Sequence, residues 1–195
     1  MINKILATID RSDRSQSVFD TAVSLAQSTG ANLMLLHILS EEDPGYPILP
    51  AYAYYSVLKG SGDGIFQEQF NEYEQQEADF LRDLAQKAIA AGINTEYIQL
   101  SGIPGWEICE AASSWSADLI LVGSRGLRGL KEMFVGSVSN YVTHHAPCSV
   151  LLVRTNTDLV PYTNVPLYEL ETEVNSKQEI LNQNRSANKI IFVEN

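Results

Sequence analysis

The chain has 195 residues, 45% of them hydrophobic and 19% charged, a globular balance that excludes wholesale disorder and sets one domain with at most an appendage. With 24 acidic against 13 basic residues, its formal net charge of -11 disfavours nucleic acid and anionic membrane as bulk electrostatic partners. Two cysteines, Cys109 and Cys148, are too few for a disulfide framework or a thiolate zinc site, and no apolar run approaches the ~18 residues of a membrane span. Met1 to Ala7 lacks the apolar stretch and cleavage pattern of a signal peptide, so a cytoplasmic address is expected.

Lys4 to Ile9 is a short apolar run that stops at Asp10-Arg11-Ser12-Asp13, as a buried parallel strand would. Ser12 or Asp13 is placed to cap the next segment. There Val18, Ala22, Leu25 and Ala26 recur near helical spacing between Ser15 and Ser28, and Gly30 closes the run. Asn32 to Leu39 reads as a second buried strand, completing a βαβ unit.

Glu41 to Gly64 breaks this rhythm with Pro44, Pro47 and Pro50, then Gly60, Gly62 and Gly64, and the tyrosines Tyr46, Tyr52, Tyr54 and Tyr55. A connection of about two dozen residues is longer than ordinary, and it reads either as a functional lid or as a surface excursion. Ile65 to Ala91 returns to helical spacing, with Phe66, Phe70, Tyr73, Glu77, Phe80, Leu84, Lys87 and Ala88 forming a mostly apolar stripe that Gly92 ends. Thr95 to Leu100 is strand-like. Pro104 sits as a first-turn proline ahead of a helix over Trp106 to Ser116. Asp118 to Val122 is a fourth strand, Gly123 to Val135 a glycine-containing loop, Ser137 to His145 a helix ended by Pro147, and Cys148 to Val153 a fifth strand. Alternation of this kind implies a parallel sheet covered by helices on both faces. The tail, residues 155–195, has a different texture: an extended proline-bearing stretch, a polar stretch over Tyr168 to Asn184, and a strand-like Lys189 to Val193 that needs a pairing partner.

The loop Gly123-Ser124-Arg125-Gly126-Leu127-Arg128-Gly129 and onward to Gly136-Ser137 leads from a buried strand into a helix. Ligands of open α/β sheets bind beyond the carboxyl ends of the strands. Glycines there admit close backbone approach and positive φ, and the amides at the start of the Ser137 helix suit phosphate oxygens. Ser137 adds a hydroxyl, and Arg125, Arg128 and Lys131 add positive charge. No Gly-Lys-Ser/Thr ends the loop, so it is not a Walker A sequence, and it is not a Rossmann Gly-x-Gly-x-x-Gly.

The spacing Gly-x2-Gly-x9-Gly-Ser, filled by Gly123, Gly126, Gly136 and Ser137, resembles the phosphate loop of the universal stress protein family, in its ATP-binding branch. The first strand ending in Asp10, His37-Ile38 at the end of the second, and Pro147 to Val153 resemble further parts of the family pattern, over residues 1–154. The resemblance implies a Rossmann-like five-stranded parallel sheet of order 3-2-1-4-5 with helices on both faces. It implies ATP or another adenine nucleotide, with Mg²⁺, in the crevice between strands one and four. Carried over, Asp10 would approach the ribose or adenine edge and Ile38 would offer backbone groups to the adenine. Gly123, Gly126, Gly136, Ser137 and Val138 would surround ribose and phosphates, with Ser139 close by and Ser124 and Arg125 beside the phosphates. Thr8 and Ile9 stand where some relatives carry a Pro-Thr pair and would contribute through their backbone.

Other residues have structural readings. His37 is expected as a satisfied strand histidine, His144 and His145 as complements to a helix C-terminus, and Cys109 and Cys148 as buried, inert thiols. Asp10 also reads as a strand-end cap. Three functions follow: a nucleotide-responsive regulatory or stress-tolerance protein, a slow ATPase or self-phosphorylating enzyme, or a nucleotide-independent dimeric binding module. No general base stands beside the phosphate loop, so any hydrolysis is expected to be slow. The resemblance implies a homodimer through Ser149 to Val153, with a protein partner that the sequence does not name. Charge divides along the chain: Glu41 to Asp83 holds 10 acidic and 2 basic residues, whereas residues 121–154 hold 4 basic and 1 acidic. The net charge therefore disfavours nucleic acid without disfavouring a phosphate ligand.

Overall fold

A computed structural model of the chain describes residues 1–12, 14–41, 43, 45–48, 64–124 and 136–154. The expected strand at 189–193, most of the 41–64 segment and the middle of the glycine loop lie outside the described residues. The elements run β1 (Lys4–Thr8), α1 (Ser15–Thr29), β2 (Asn32–Leu39), α2 (Gly64–Ala90), β3 (Thr95–Ser101), α3 (Pro104–Trp115), β4 (Leu119–Gly123), α4 (Ser137–His145) and β5 (Ser149–Val153). All four strand pairings are parallel, in the order β3-β2-β1-β4-β5.

The centre of the sheet explains this order. Ile5, Leu6 and Ala7 of β1 are wholly buried, so both faces of the strand require cover. Ile5 and Ala7 face a cluster built with Val18, Phe19, Ala22 and Ala26 of α1 and Leu81, Leu84, Ala85 and Ala88 of α2. Leu6 faces the opposite cluster, with Ile108, Cys109 and Ala112 of α3 and Val142 of α4. The chain first winds outward from β1 through β2 to β3 and then returns to the other side of β1 as β4 and β5. Strands β1 and β4 are therefore neighbours whose following helices cover opposite faces, which is a topological switch point.

Edge position changes the strand pattern. β3 is largely exposed, including Tyr97 and Ile98, which fits its mixed sequence and its single hydrogen-bonded neighbour. β5 alternates exposed and covered residues along its length.

Several expectations are corrected. The α2 stripe runs through Tyr73, Glu77, Leu81, Leu84, Ala85 and Ala88, while Lys87 is exposed. Arg14, in αR geometry and without a side-chain cap, precedes α1 in place of Ser12, and Asp13 lies outside the described residues. The Ser15 hydroxyl is instead turned back to accept from the Asp10 amide at 3.0 Å. Cys148 is half-buried and not fully buried; burial pushes both thiols above their usual range, with Glu110 adding to this for Cys109 and Asp118 for Cys148. Gly30 does end α1 in left-handed geometry (φ 71°), donating to Ala26 O at 2.9 Å.

Helices α3 and α4 approach closely because Gly105 has no side chain. A Cβ there would lie 2.8–3.0 Å from Cδ1, Cγ and Cβ of Tyr141, atoms near the root of that side chain. Gly105→Ala is expected to force Tyr141 aside and cost about 1–3 kcal/mol, read by chemical denaturation.

The N-terminal end of the sheet is held by Asp118, whose Oδ2 accepts from the amides of Asn3 (2.7 Å) and Lys4 (3.0 Å). These bonds hold its carboxyl below the usual range. A lowered folded-state value means that the contribution is complete above the unfolded value of about 4 and is lost as pH falls through the folded one. Asp118→Asn is expected to lower the melting temperature at pH 7, with the gap to wild type closing toward pH 3.

Candidate functional site

The carboxyl ends of β1 and β4 frame a crevice, and each of its walls is set by backbone hydrogen bonds. β1 ends at Thr8, yet Ile9 still donates to Leu36 O at 2.8 Å. Thr8 Oγ1 donates to Leu121 O at 3.2 Å and ties the strand end to β4. The Ile9 side chain is buried in the cluster under α1 and α2, so only its backbone faces the crevice region. Asp10 forms its own turn: Oδ1 accepts from the Ser12 amide at 2.9 Å and from the Ser12 hydroxyl at 2.5 Å. Its carboxylate thus shapes the turn that precedes α1 and does not cap the helix, whose N-cap is Arg14.

Along β2, residues alternate between neighbours. Asn32 and Leu36 bond to β1 or its flank, whereas Leu33 and Leu39 bond toward β3 and its flanks. The same alternation aims the amide and carbonyl of Ile38 toward the β1 side, at a level where β1 has ended. Its side chain is buried in the opposite cluster. Ile38 is therefore suited to offer main-chain groups to a planar ligand edge.

The second wall is the start of the glycine loop. Gly123 is the last residue of β4, in register with Val153, and the Ser124 amide donates to Val153 O at 2.9 Å. Ser124 O accepts from the Gly136 amide at 2.7 Å and from Ser139 Oγ at 3.0 Å. Ser139 Oγ also reaches Gly136 O at 3.1 Å. The two ends of segment 125–135 are thus fastened together, and Arg125, Gly126, Arg128 and Lys131 lie outside the described residues. Ser139, expected near the ligand, is buried and acts as the fastener.

Gly136 caps α4 with φ -70° and ψ 163°, contributing no side-chain acceptor, and the first turn contains no acidic residue. The first intrahelical bond runs from Asn140 N to Gly136 O. The amides of Ser137, Val138 and Ser139 therefore present the positive end of the helix at the carboxyl edge of β4. Ser137 is exposed there, and Val138 is half-buried against the core. Neither Gly123 nor Gly136 has positive φ, so their lack of a side chain serves close approach and not backbone conformation.

One group escaped the sequence reading. Glu77 of α2 is buried, with its carboxylate between Arg11 and His37. Arg11 Nε reaches both carboxylate oxygens at 2.9 and 3.0 Å, and its guanidinium lies 4.2 Å from the Phe80 ring centroid. His37 is only half satisfied: Nδ1 donates to Ile9 O at 2.7 Å, while Nε2 lies 3.4 Å from Glu77 without hydrogen-bond alignment. An acid on an otherwise apolar helical stripe was the available signal. Nearby, Tyr73 donates to Asp43 at 3.0 Å, and burial together with that bond pushes its hydroxyl well above the usual range. Tyr46 packs edge-on against Phe70 and Tyr73, so one tyrosine of the long connection is bound to α2.

A doubly wound parallel sheet, with a helix N-terminus and paired glycines at its switch point, defines a Rossmann-like α/β protein. The Universal stress protein family model matches residues 1–154, and the chain belongs to that family. It is similar to the universal stress protein Sll1388 of Synechocystis, 34% identical over 151 residues that cover 77% of this chain and 97% of the relative. The solved structure of universal stress protein UspA from Lactobacillus plantarum is 27% identical, covers 78% of this chain and 98% of its own, and superposes with a TM-score of 0.64. A universal stress protein crystallised in complex with cAMP is 23% identical, covers 78% and 97% of the two chains, and gives a TM-score of 0.54. Among the described residues no helix is long and apolar enough to cross a membrane.

The fastening of the loop is testable. Ser139→Ala removes a buried hydroxyl that serves two carbonyls, one of which keeps its Gly136 amide. It is expected to cost about 1 kcal/mol of stability, read from denaturant midpoints at unchanged slope.

Proposed function

We propose that this universal stress protein binds an adenine nucleotide at the β1–β4 crevice and that occupancy alters a surface presented to a partner or to a second copy. The observation that carries the reading is the α4 N-terminus. It is free of side-chain cap and acid, it adjoins Gly123, and it is reached through the spacing Gly123, Gly126, Gly136, Ser137. Phosphates would lie against the Ser137 and Val138 amides, over the side-chain-free Gly136, whose own amide is held by Ser124 O, with Ser124, Arg125 and Gly126 bordering them. The base would lie toward Asp10 and the main chain of Ile38, with Thr8 and Ile9 contributing backbone only. ATP is the nucleotide implied by the resemblance of the loop spacing to the family's ATP-binding branch. Mg²⁺ would be held mainly through phosphate oxygens, since its habit is to keep few protein ligands. Residues 1–154 form the binding domain in this reading, and 155–195 an extension. The half-covered edge of β5, Ser149 to Val153, with Leu151 exposed, suits pairing with a second copy.

Equilibrium dialysis against labelled ATP, with ADP, AMP and cAMP as competitors, tests the reading. Wild type is expected to bind saturably. Gly136→Val, tolerated by the backbone at φ -70°, is expected to weaken binding at least tenfold, or about 1.4 kcal/mol, by filling the phosphate approach. Unsaturable binding by wild type, or an unaffected variant, removes the proposal.

A further inference from the structure

We propose that Glu77, on α2 and outside the crevice, is a positioning residue that fixes the β1 end at which the nucleotide binds. Its carboxylate gathers two groups from that end. Arg11, one residue past Asp10, is held at 2.9 and 3.0 Å. His37 faces it at 3.4 Å and, through Nδ1, holds the Ile9 carbonyl at 2.7 Å. Arg11 is further seated by the Gln76 carbonyl at 3.4 Å and by the Phe80 ring. The Ile9 carbonyl, one residue past β1, and the turn carrying Asp10 are therefore braced from the α2 side, next to the main chain of Ile38.

Stability alone does not explain the cluster. Burying a carboxylate is costly, and apolar residues of similar volume often serve a core equally well. The rest of this face of α2 makes that choice, with Leu81, Leu84, Ala85 and Ala88. Two buried side-chain polar atoms among the described residues have no hydrogen-bond partner, His37 Nε2 and Gln99 Oε1, and these residues are register partners on β2 and β3. The brace is thus only partly satisfied. The Ile9 carbonyl requires a proton on Nδ1. The groups facing this ring are the Ile9 carbonyl from the β1 end, Glu77 with Arg11 behind it from α2, and Gln99 from β3. Glu77 and Asp43 both act electrostatically on Tyr73, whose hydroxyl donates to Asp43.

The ligand part of this proposal rests on the nucleotide reading above, so the test has two readouts. The full chain is compared with Glu77→Gln, which keeps shape and one acceptor, and with Glu72→Gln, an equal charge change at an exposed position of α2. In the free protein, hydrogen exchange of amides 8–12 is expected to speed up at least fivefold in Glu77→Gln and to stay at the wild-type rate in Glu72→Gln. ATP affinity is expected to fall at least fivefold in Glu77→Gln. Glu77→Asp, which keeps the carboxylate, is expected to restore affinity to within twofold of wild type. Unchanged exchange overturns the brace. Faster exchange in Glu77→Gln with unchanged affinity overturns the positioning role, as does a Glu77→Asp variant that binds no better than Glu77→Gln. Absence of ATP binding by wild type removes the nucleotide reading and the positioning role with it, while the exchange rates still judge the brace. Arg11→Gln, at a half-exposed side chain, carries the same measurements if Glu77→Gln does not fold.

Discussion

Burial of β1 on both faces is the constraint on which the rest of the structure depends. A strand reading Ile5-Leu6-Ala7, with no exposed side, needs a helical layer above and below and a strand on each flank. Crossovers between parallel strands are right-handed, so covering both faces obliges the chain to wind outward one way and then return the other way. The crevice at the carboxyl ends of β1 and β4 is a by-product of that reversal. Its walls were not assembled for a ligand; they are where two windings part.

What suits the crevice to the proposed ligand is the way its backbone groups are left. On one side the β2 ladder outruns β1, so the main chain of Ile38 extends past its neighbour. On the other, Gly136 starts a helix without an acceptor of its own and with no acidic residue in its first turn. The protein is acidic overall, yet its acid is concentrated between Glu41 and Asp83. Field and fold are thus arranged separately: the sheet supplies position, and local charge placement supplies the sign that an anionic group would meet.

Much of this was legible in sequence. Continuous apolar runs gave β1, β2 and β4 to within a residue or so, because a doubly buried strand leaves little room for polar residues; β5 was found by its own apolar run although it is only partly covered. Gly30 and Pro104 marked helix ends through backbone geometry that few other residues supply. The glycine spacing located the loop. Side-chain direction was not legible. The Ser139 hydroxyl turns inward to the Ser124 and Gly136 carbonyls, and the Asp10 carboxylate folds into its own turn; neither choice leaves a pattern in neighbouring residues. The Arg11–Glu77–His37 group was hidden for a different reason. Its members are far apart in sequence, and helical periodicity counts Glu77 as one more inward position without asking what an acid does there.

The fastening of Ser124 to Gly136 has a consequence for how this family member tolerates change. With both ends of segment 125–135 held at one point, length added or removed between them need not disturb β4 or α4. The entropy of closing a loop rises only with the logarithm of its length, about 0.6 kcal/mol per doubling. Loop size and composition are therefore a nearly independent variable, adjustable by insertion or exchange while the sheet stays as it is. A chain built this way can acquire a new ligand preference or a new contact surface at small cost to folding.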